Sequence, residues 1–208
     1  MIDPETLVTY LAVLLGFVFL PGPAVLMTLA RASTGGTRVG LATGLGIAVG
    51  DLVHTALAVL GISAVILASA TLFTLIKYAG AAYLVYLGLR AIWERADLAP
   101  PQHGGRLTAA SAFRQGVLIE VLNPKSALFF LAFLPQFVEP ANGLVWLQLT
   151  VFGVLFVLAG FLSTAITAFA AGGLGHWLRR HPAVMRWQGK VVGGIYCALG
   201  LRLALQER

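Results

Sequence analysis

Asp51, His54, Glu120 and Lys125 are the residues best placed to do chemistry, because each interrupts an otherwise apolar run. Asp51 is the only formally charged residue between Val39 and Ile76. Lys125 stands near the middle of a second run, Phe113 to Val138, with Glu120 nearer the cytoplasmic side. A charge at the centre of a bilayer costs at least about 2.5–3.5 kcal/mol, so such groups are expected to face a partner, a cavity or a solute. Asp51 and His54 are spaced to share one helix face, where they form a proton relay or His54 fills a packing gap. Asp51 and Lys125 form a structural ion pair, or a pair that opens to take an ammonium on Asp51 and a carboxylate on Lys125.

Two proline breaks stand beside these groups: Pro21-Gly22-Pro23 in the first apolar run and Asn123-Pro124 in the fourth. Each proline removes a backbone donor and crowds the preceding turn, freeing polar backbone groups inside hydrocarbon. A single such proline reads as a packed kink, whereas two breaks at matching places in two halves point to a binding site at the midplane. Proline suits the first position of a helix and Asn is a good N-cap, so new half-helices are expected to begin at Pro23 and Pro124. Their N-termini would converge from opposite sides and offer free N–H groups and partial positive charge to a carboxylate.

The elements that must position these groups follow from composition and from where charge falls. Hydrophobic residues make up 59% of the 208 and charged residues 11%, against about 45–50% and 25% in soluble domains. The fold class is therefore all-α, a polytopic membrane helical bundle in one domain, 1–208. Six apolar runs of spanning length are expected: Thr6 to Ala30, Val39 to about Ser69, Lys77 to about Trp93, Phe113 to Val138, Leu144 to Ala171, and a last one ending near Leu205. Asp3 and Glu5 at the start argue against a secretory signal, so the first helix is expected to be retained. A Pro/Gly-rich linker, 94–112, separates halves 1–93 and 113–208.

Arg31 and Arg38 fall in one loop, Arg90, Arg95, Arg106 and Arg114 flank the next alternate one, and Arg179, Arg180, Arg186 and Lys190 fall in the third. This asymmetry predicts an inner-membrane protein with those loops in the cytoplasm and both termini outside. Leu87-Gly88-Leu89-Arg90 recurs as Leu199-Gly200-Leu201-Arg202, and the basic, aromatic and Gly positions of Lys77-Tyr78-Ala79-Gly80 recur in Arg186-Trp187-Gln188-Gly189. With three spans per half, the halves are expected to be inverted repeats with broken helices one and four.

Other classes fit poorly. The net charge of +6 lies in loops rather than on a basic face with interleaved aromatics, which excludes nucleic acid as a partner. The single cysteine, Cys197, cannot form an intrachain disulfide or a soft-metal site, and no cofactor is implied. An intramembrane enzyme lacks a depth-matched nucleophile and base. Gly50-Asp51 has the look of an intramembrane aspartyl protease, but that chemistry needs a second carboxylate and no second aspartate is well placed. A cation channel would want more acidic or thiol ligands along its spans. Gly40, Gly44, Gly46 and Gly50 read as a helix-packing face.

The blocks Pro21-Gly22-Pro23, Gly46 to Gly50-Asp51, Lys77-Tyr78-Ala79-Gly80-Ala81-Ala82-Tyr83-Leu84, Leu122-Asn123-Pro124-Lys125 and Phe129 to Phe137 together resemble the lysine-exporter and homoserine/threonine-resistance superfamily. The resemblance spans essentially the whole chain. It implies export of amino acids or their derivatives driven by the proton motive force, with no bound cofactor, protons and a small amino acid as partners, and a homo-oligomer as one option. Pro21, Gly22, Pro23, Asp51, Asn123, Pro124 and Lys125 are the positions it marks as functional. Glu120 stands where related proteins often carry Asn.

Overall fold

The computed structural model describes residues 2–19, 22–62, 70–93 and 108–180, with scattered positions between 187 and 205. Pro21, most of the linker and most of the sixth apolar run lie outside the described residues. Among the described residues every regular element is helical.

Asp3 starts the first helix: its Oδ2 accepts from the N–H groups of Glu5 and Thr6 at 3.1 and 3.2 Å, while Pro4 occupies a position that needs no donor. Helix α1 (Pro4–Phe19) and helix α2 (Pro23–Gly35) are bent by 48° at the first proline break. α2 runs through Arg31, which was expected in a loop, and stops only at Gly36, whose φ of 84° is the left-handed conformation that suits glycine. Helix α3 (Thr37–Leu57) follows directly and ends in a wider π-helical turn, Ala58–Ile62.

Helix α4 is Ala70–Trp93. Thr108 caps helix α5 (Ala109–Val121) by accepting from Ser111 N–H at 3.2 Å, so residues 109–112, expected in the linker, form its first turn. Helix α6 begins at Pro124–Leu128, widens at Phe129–Phe133 and tightens to a 3₁₀ turn at Leu134–Phe137. This half is bent by 46° from α5. Helix α7 (Val145–Arg180) continues past Ala171, and Arg179 and Arg180, expected in a loop, lie on its helical backbone.

Thr37–Gly61 and Val145–Ala171 are each long and apolar enough to cross a membrane, and each bent pair qualifies if its halves make one span. At about 1.5 Å per residue, the 25 and 27 residues of the two unbroken stretches exceed a hydrocarbon core of about 30 Å. Helix α7 carries the pattern of a lipid solvent: Val151, Val154, Leu158, Leu162, Ile166 and Phe169 are exposed, while Ser163, Thr164 and Thr167 are buried. These hydroxyls are satisfied, Thr164 by the Gly160 carbonyl at 3.1 Å and Thr167 by the Ser163 carbonyl at 2.8 Å. Trp93, Trp146 and Trp187 also face outward. Trp93 ends α4 and Trp146 opens α7, where indole rings suit the membrane–water boundary.

Helix α3 is the centre of the bundle, packed mainly on α5 and α7. Its glycines set these contacts, as their spacing suggests. A side chain at Gly46 would fall on the Phe113 carbonyl of α5, and one at Gly50 would come within 2.5 Å of Glu120 Cβ. Gly116 of α5 answers from the other side, where a Cβ would meet the Thr43 carbonyl at 2.5 Å. Small residues here let two backbones touch, and the register of the α3–α5 seam follows. Beyond the seam, α1, α6 and α7 share an aromatic core in which Phe129 lies 4.6 Å from both Phe17 and Phe156 by ring centroid.

Candidate functional site

The two breaks are finished by side chains from other helices. In an unbroken α1 the Val18 carbonyl would accept from the N–H four residues on. Here Ser163 of α7 donates its hydroxyl to it at 3.1 Å. In α5 the carbonyl orphaned by Pro124 is that of Glu120, because proline has no N–H. Asn123 N–H donates to it at 3.0 Å, and so does His54 Nε2 of α3 at 2.9 Å. A carbonyl only accepts, so the ring proton sits on Nε2. The imidazole stacks on Phe130, with centroids 5.8 Å apart. Nε2 is therefore committed to the break rather than to Asp51. The arrangement is reciprocal: α7 completes the break in α1, and α3 completes the break in α5.

Between the breaks lies a cavity of about 50 Å³, lined by Gly22, Pro23, Asp51, Glu120, Asn123 and Lys125 together with Ser126, Thr164 and apolar Phe17, Val18, Ile47 and Phe156. Six of the nine residues singled out from the sequence thus meet at one place. His54 stands behind the wall on Glu120, Pro124 opens α6, and Pro21 lies outside the described residues.

Asn123 organises this wall. Its Oδ1 accepts from Lys125 N–H at 3.0 Å, capping α6, while its Nδ2 donates to Glu120 Oε1 at 2.9 Å and to Ser126 Oγ at 3.2 Å. Ser126 Oγ donates to the same Glu120 oxygen. Ser126 was not anticipated, although its place three residues after the N-cap, where a cap's reciprocal partner stands, was a usable signal. The start of α2 differs: Gly22 precedes Pro23 and no side chain among the described residues caps that helix. Of the two helix starts that line the cavity, that of α6 is capped by its own Asn123 and that of α2 has no side-chain cap among the described residues.

Asp51 and Glu120 are each 2% exposed. Their carboxyl groups lie within hydrogen-bonding reach of one another, with the Lys125 ammonium close enough to act on Asp51. Glu120 is the second carboxylate beside Asp51 that the sequence reading sought among aspartates. Lys125 Nζ sits 4.1 Å above the Phe17 ring, a cation–π contact at the cavity wall. The site thus presents a carboxyl pair, an ammonium and an uncapped helix N-terminus around one apolar-walled space. It has complementary groups for both charged ends of a small zwitterion.

A helical bundle with bent helix pairs, exposed apolar faces and a cavity that holds ionisable groups at the breaks has the architecture of a polytopic membrane transport protein. The chain belongs to the LysE type translocator family, whose sequence profile matches residues 15–207. It is 34% identical over 203 residues to an uncharacterized membrane protein of Vibrio cholerae, covering 97% of this chain and 98% of that one. It is 32% identical to an uncharacterized membrane protein of Pseudomonas aeruginosa, covering 94% and 93%. A leucine efflux protein of an Enterobacter species is 24% identical, over 94% of this chain and 93% of its own length. No solved structure matches the chain.

Proposed function

We propose that this protein is a secondary exporter of amino acids, apolar ones such as leucine among them, across the bacterial inner membrane. Inward proton movement drives it, as in an antiporter. The observation that carries the reading is the cavity, where Lys125 and the uncapped start of α2 stand among the same lining residues as Asp51 and Glu120. The substrate carboxylate binds Lys125 and the first N–H groups of α2, and its ammonium binds the carboxyl pair. Phe17, Ile47 and Phe156 take the apolar side chain. The cavity is small beside the several hundred Å³ typical of ligand sites, so loading requires the half-helices to part. Relatives named for leucine efflux support the substrate class. The reciprocal completion of the two breaks supports six spans arranged as inverted repeats, since exchanging spans one with four and two with five carries each contact into the other.

Counterflow of labelled amino acids by purified protein in proteoliposomes tests this, across a panel that includes leucine and leucinamide. Lys125→Met keeps length and removes charge. A charge-assisted contact is worth about 1.5–3 kcal/mol, so leucine binding should weaken roughly ten- to a hundredfold with leucinamide nearly unaffected. Equal losses for the acid and the amide would show that Lys125 supports the fold rather than the carboxylate, and no counterflow of any amino acid would end the export reading.

A further inference from the structure

We propose that Asp51 and Glu120 hold a single proton between them, and that this carboxyl pair, joined across the α3–α5 seam, is the proton-carrying group of the transport cycle. The second half of that statement rests on the export reading; the shared proton does not.

Asp51 Oδ1 and Glu120 Oε2 are both buried, and among the described residues neither has a hydrogen-bond donor. The other oxygen of Glu120 is already served by Asn123 and Ser126. Two adjacent carboxylates shielded from water repel, and neither can donate. One proton changes both facts at once: an O–H on either group donates to the other and removes one of the two negative charges. The pair cannot relax by drifting apart, because Gly50 lets the two backbones close to contact at this level of the seam.

The surrounding groups leave this role open. From α1, Tyr10 commits its hydroxyl to the Phe152 carbonyl at 2.6 Å. From α3, His54 gives Nε2–H to the Glu120 carbonyl. From α6, Lys125 adds a positive charge that favours keeping one negative charge on the pair. The cavity-lining residues of α2 and α7 are not titratable.

Coupling follows from stoichiometry. A proton and a substrate ammonium each bring one positive charge to the pair, and both donate hydrogen bonds to the same oxygens. They therefore compete. Binding of the ammonium requires the proton to leave the carboxyl oxygen for cavity water, and return of a proton expels the ammonium.

Infrared difference spectroscopy on the purified full-length protein in lipid, without substrate, tests the shared proton. At neutral pH the wild type should show the carbonyl stretch of one protonated carboxyl, which moves to lower frequency in D₂O as the proton is replaced by a deuteron. Both Asp51→Asn and Glu120→Gln should abolish it, because each new amide supplies the missing donor and the remaining carboxylate no longer needs a proton. Absence of the band in wild type would overturn the proposal, and so would its survival in either variant that elutes as a monodisperse protein. If one variant fails to fold, the other decides. The band does not depend on what is transported. The expected spectra without counterflow would therefore sink the export reading alone, and counterflow without the band would sink the pair alone.

Discussion

Asn123 offers the sharpest test of the wall, because its two roles respond oppositely to one substitution. Asn123→Ala removes the cap on α6, worth about 1 kcal/mol. It also removes the amide bond to Glu120 Oε1 at 2.9 Å, and hydrogen bonds to carboxylates are worth about 1.5–3 kcal/mol. Together the loss should be about 2.5–4 kcal/mol. Asn123→Asp keeps the cap, since Asp and Asn are equal N-cap residues, but it replaces the donor to Glu120 with a further carboxylate. Capping alone therefore predicts a neutral change, whereas the structure predicts a loss at least as large as that of Asn123→Ala. Adding Glu120→Gln to Asn123→Asp restores a donor across the same gap and should recover most of the loss. Reversible unfolding in mixed micelles at neutral pH measures all three. Wild-type stability of Asn123→Asp would refute the reasoning, because the Glu120 contact would then contribute nothing.

The α3–α5 seam makes a separate prediction. Gly46→Ala should destabilise by about 1–3 kcal/mol in the same unfolding assay, because its methyl falls on the Phe113 carbonyl. Gly16→Ala, with none of the described residues within 4 Å of the added carbon, should be neutral or stabilising, and similar outcomes for the two would argue against the seam. For the proposed orientation, single cysteines in a Cys197→Ala background should label from outside with an impermeant reagent at Glu139 and at the C-terminus, but not near Arg180. External labelling near Arg180 in sealed cells would overturn the six-span arrangement.

The breaks, the buried ionisable residues and the glycine face were legible because each leaves a local mark: a proline, a charge in an apolar run, a small residue at helical spacing. The meeting of Asp51 with Glu120 was not, since it depends on the relative register of two helices far apart in sequence. The clue lay in Ala112, Gly116 and Glu120, all buried on one face of α5. This small-residue stripe leads to a carboxylate, as Gly46 and Gly50 lead to Asp51 on α3. Arg31 misled for a different reason. Reading basic residues as loop markers ignores helix chemistry, and the chain turns at Gly36. Arg31 stays on α2, donating Nη2–H to Gln115 Oε1 at 2.6 Å.

Trp93, Trp146 and Trp187 point away from the bundle, and none of the cavity-lining residues is a tryptophan. The ultraviolet emission of these three indoles is therefore a gauge of the lipid boundary and is blind to cavity occupancy through direct contact. A solute that binds without moving a helix leaves it unchanged. A spectral response from these indoles to a transported solute, read with Trp177→Phe so that only they emit, would report displacement of helices against lipid, an optical sensor of the conformational cycle that needs no added dye.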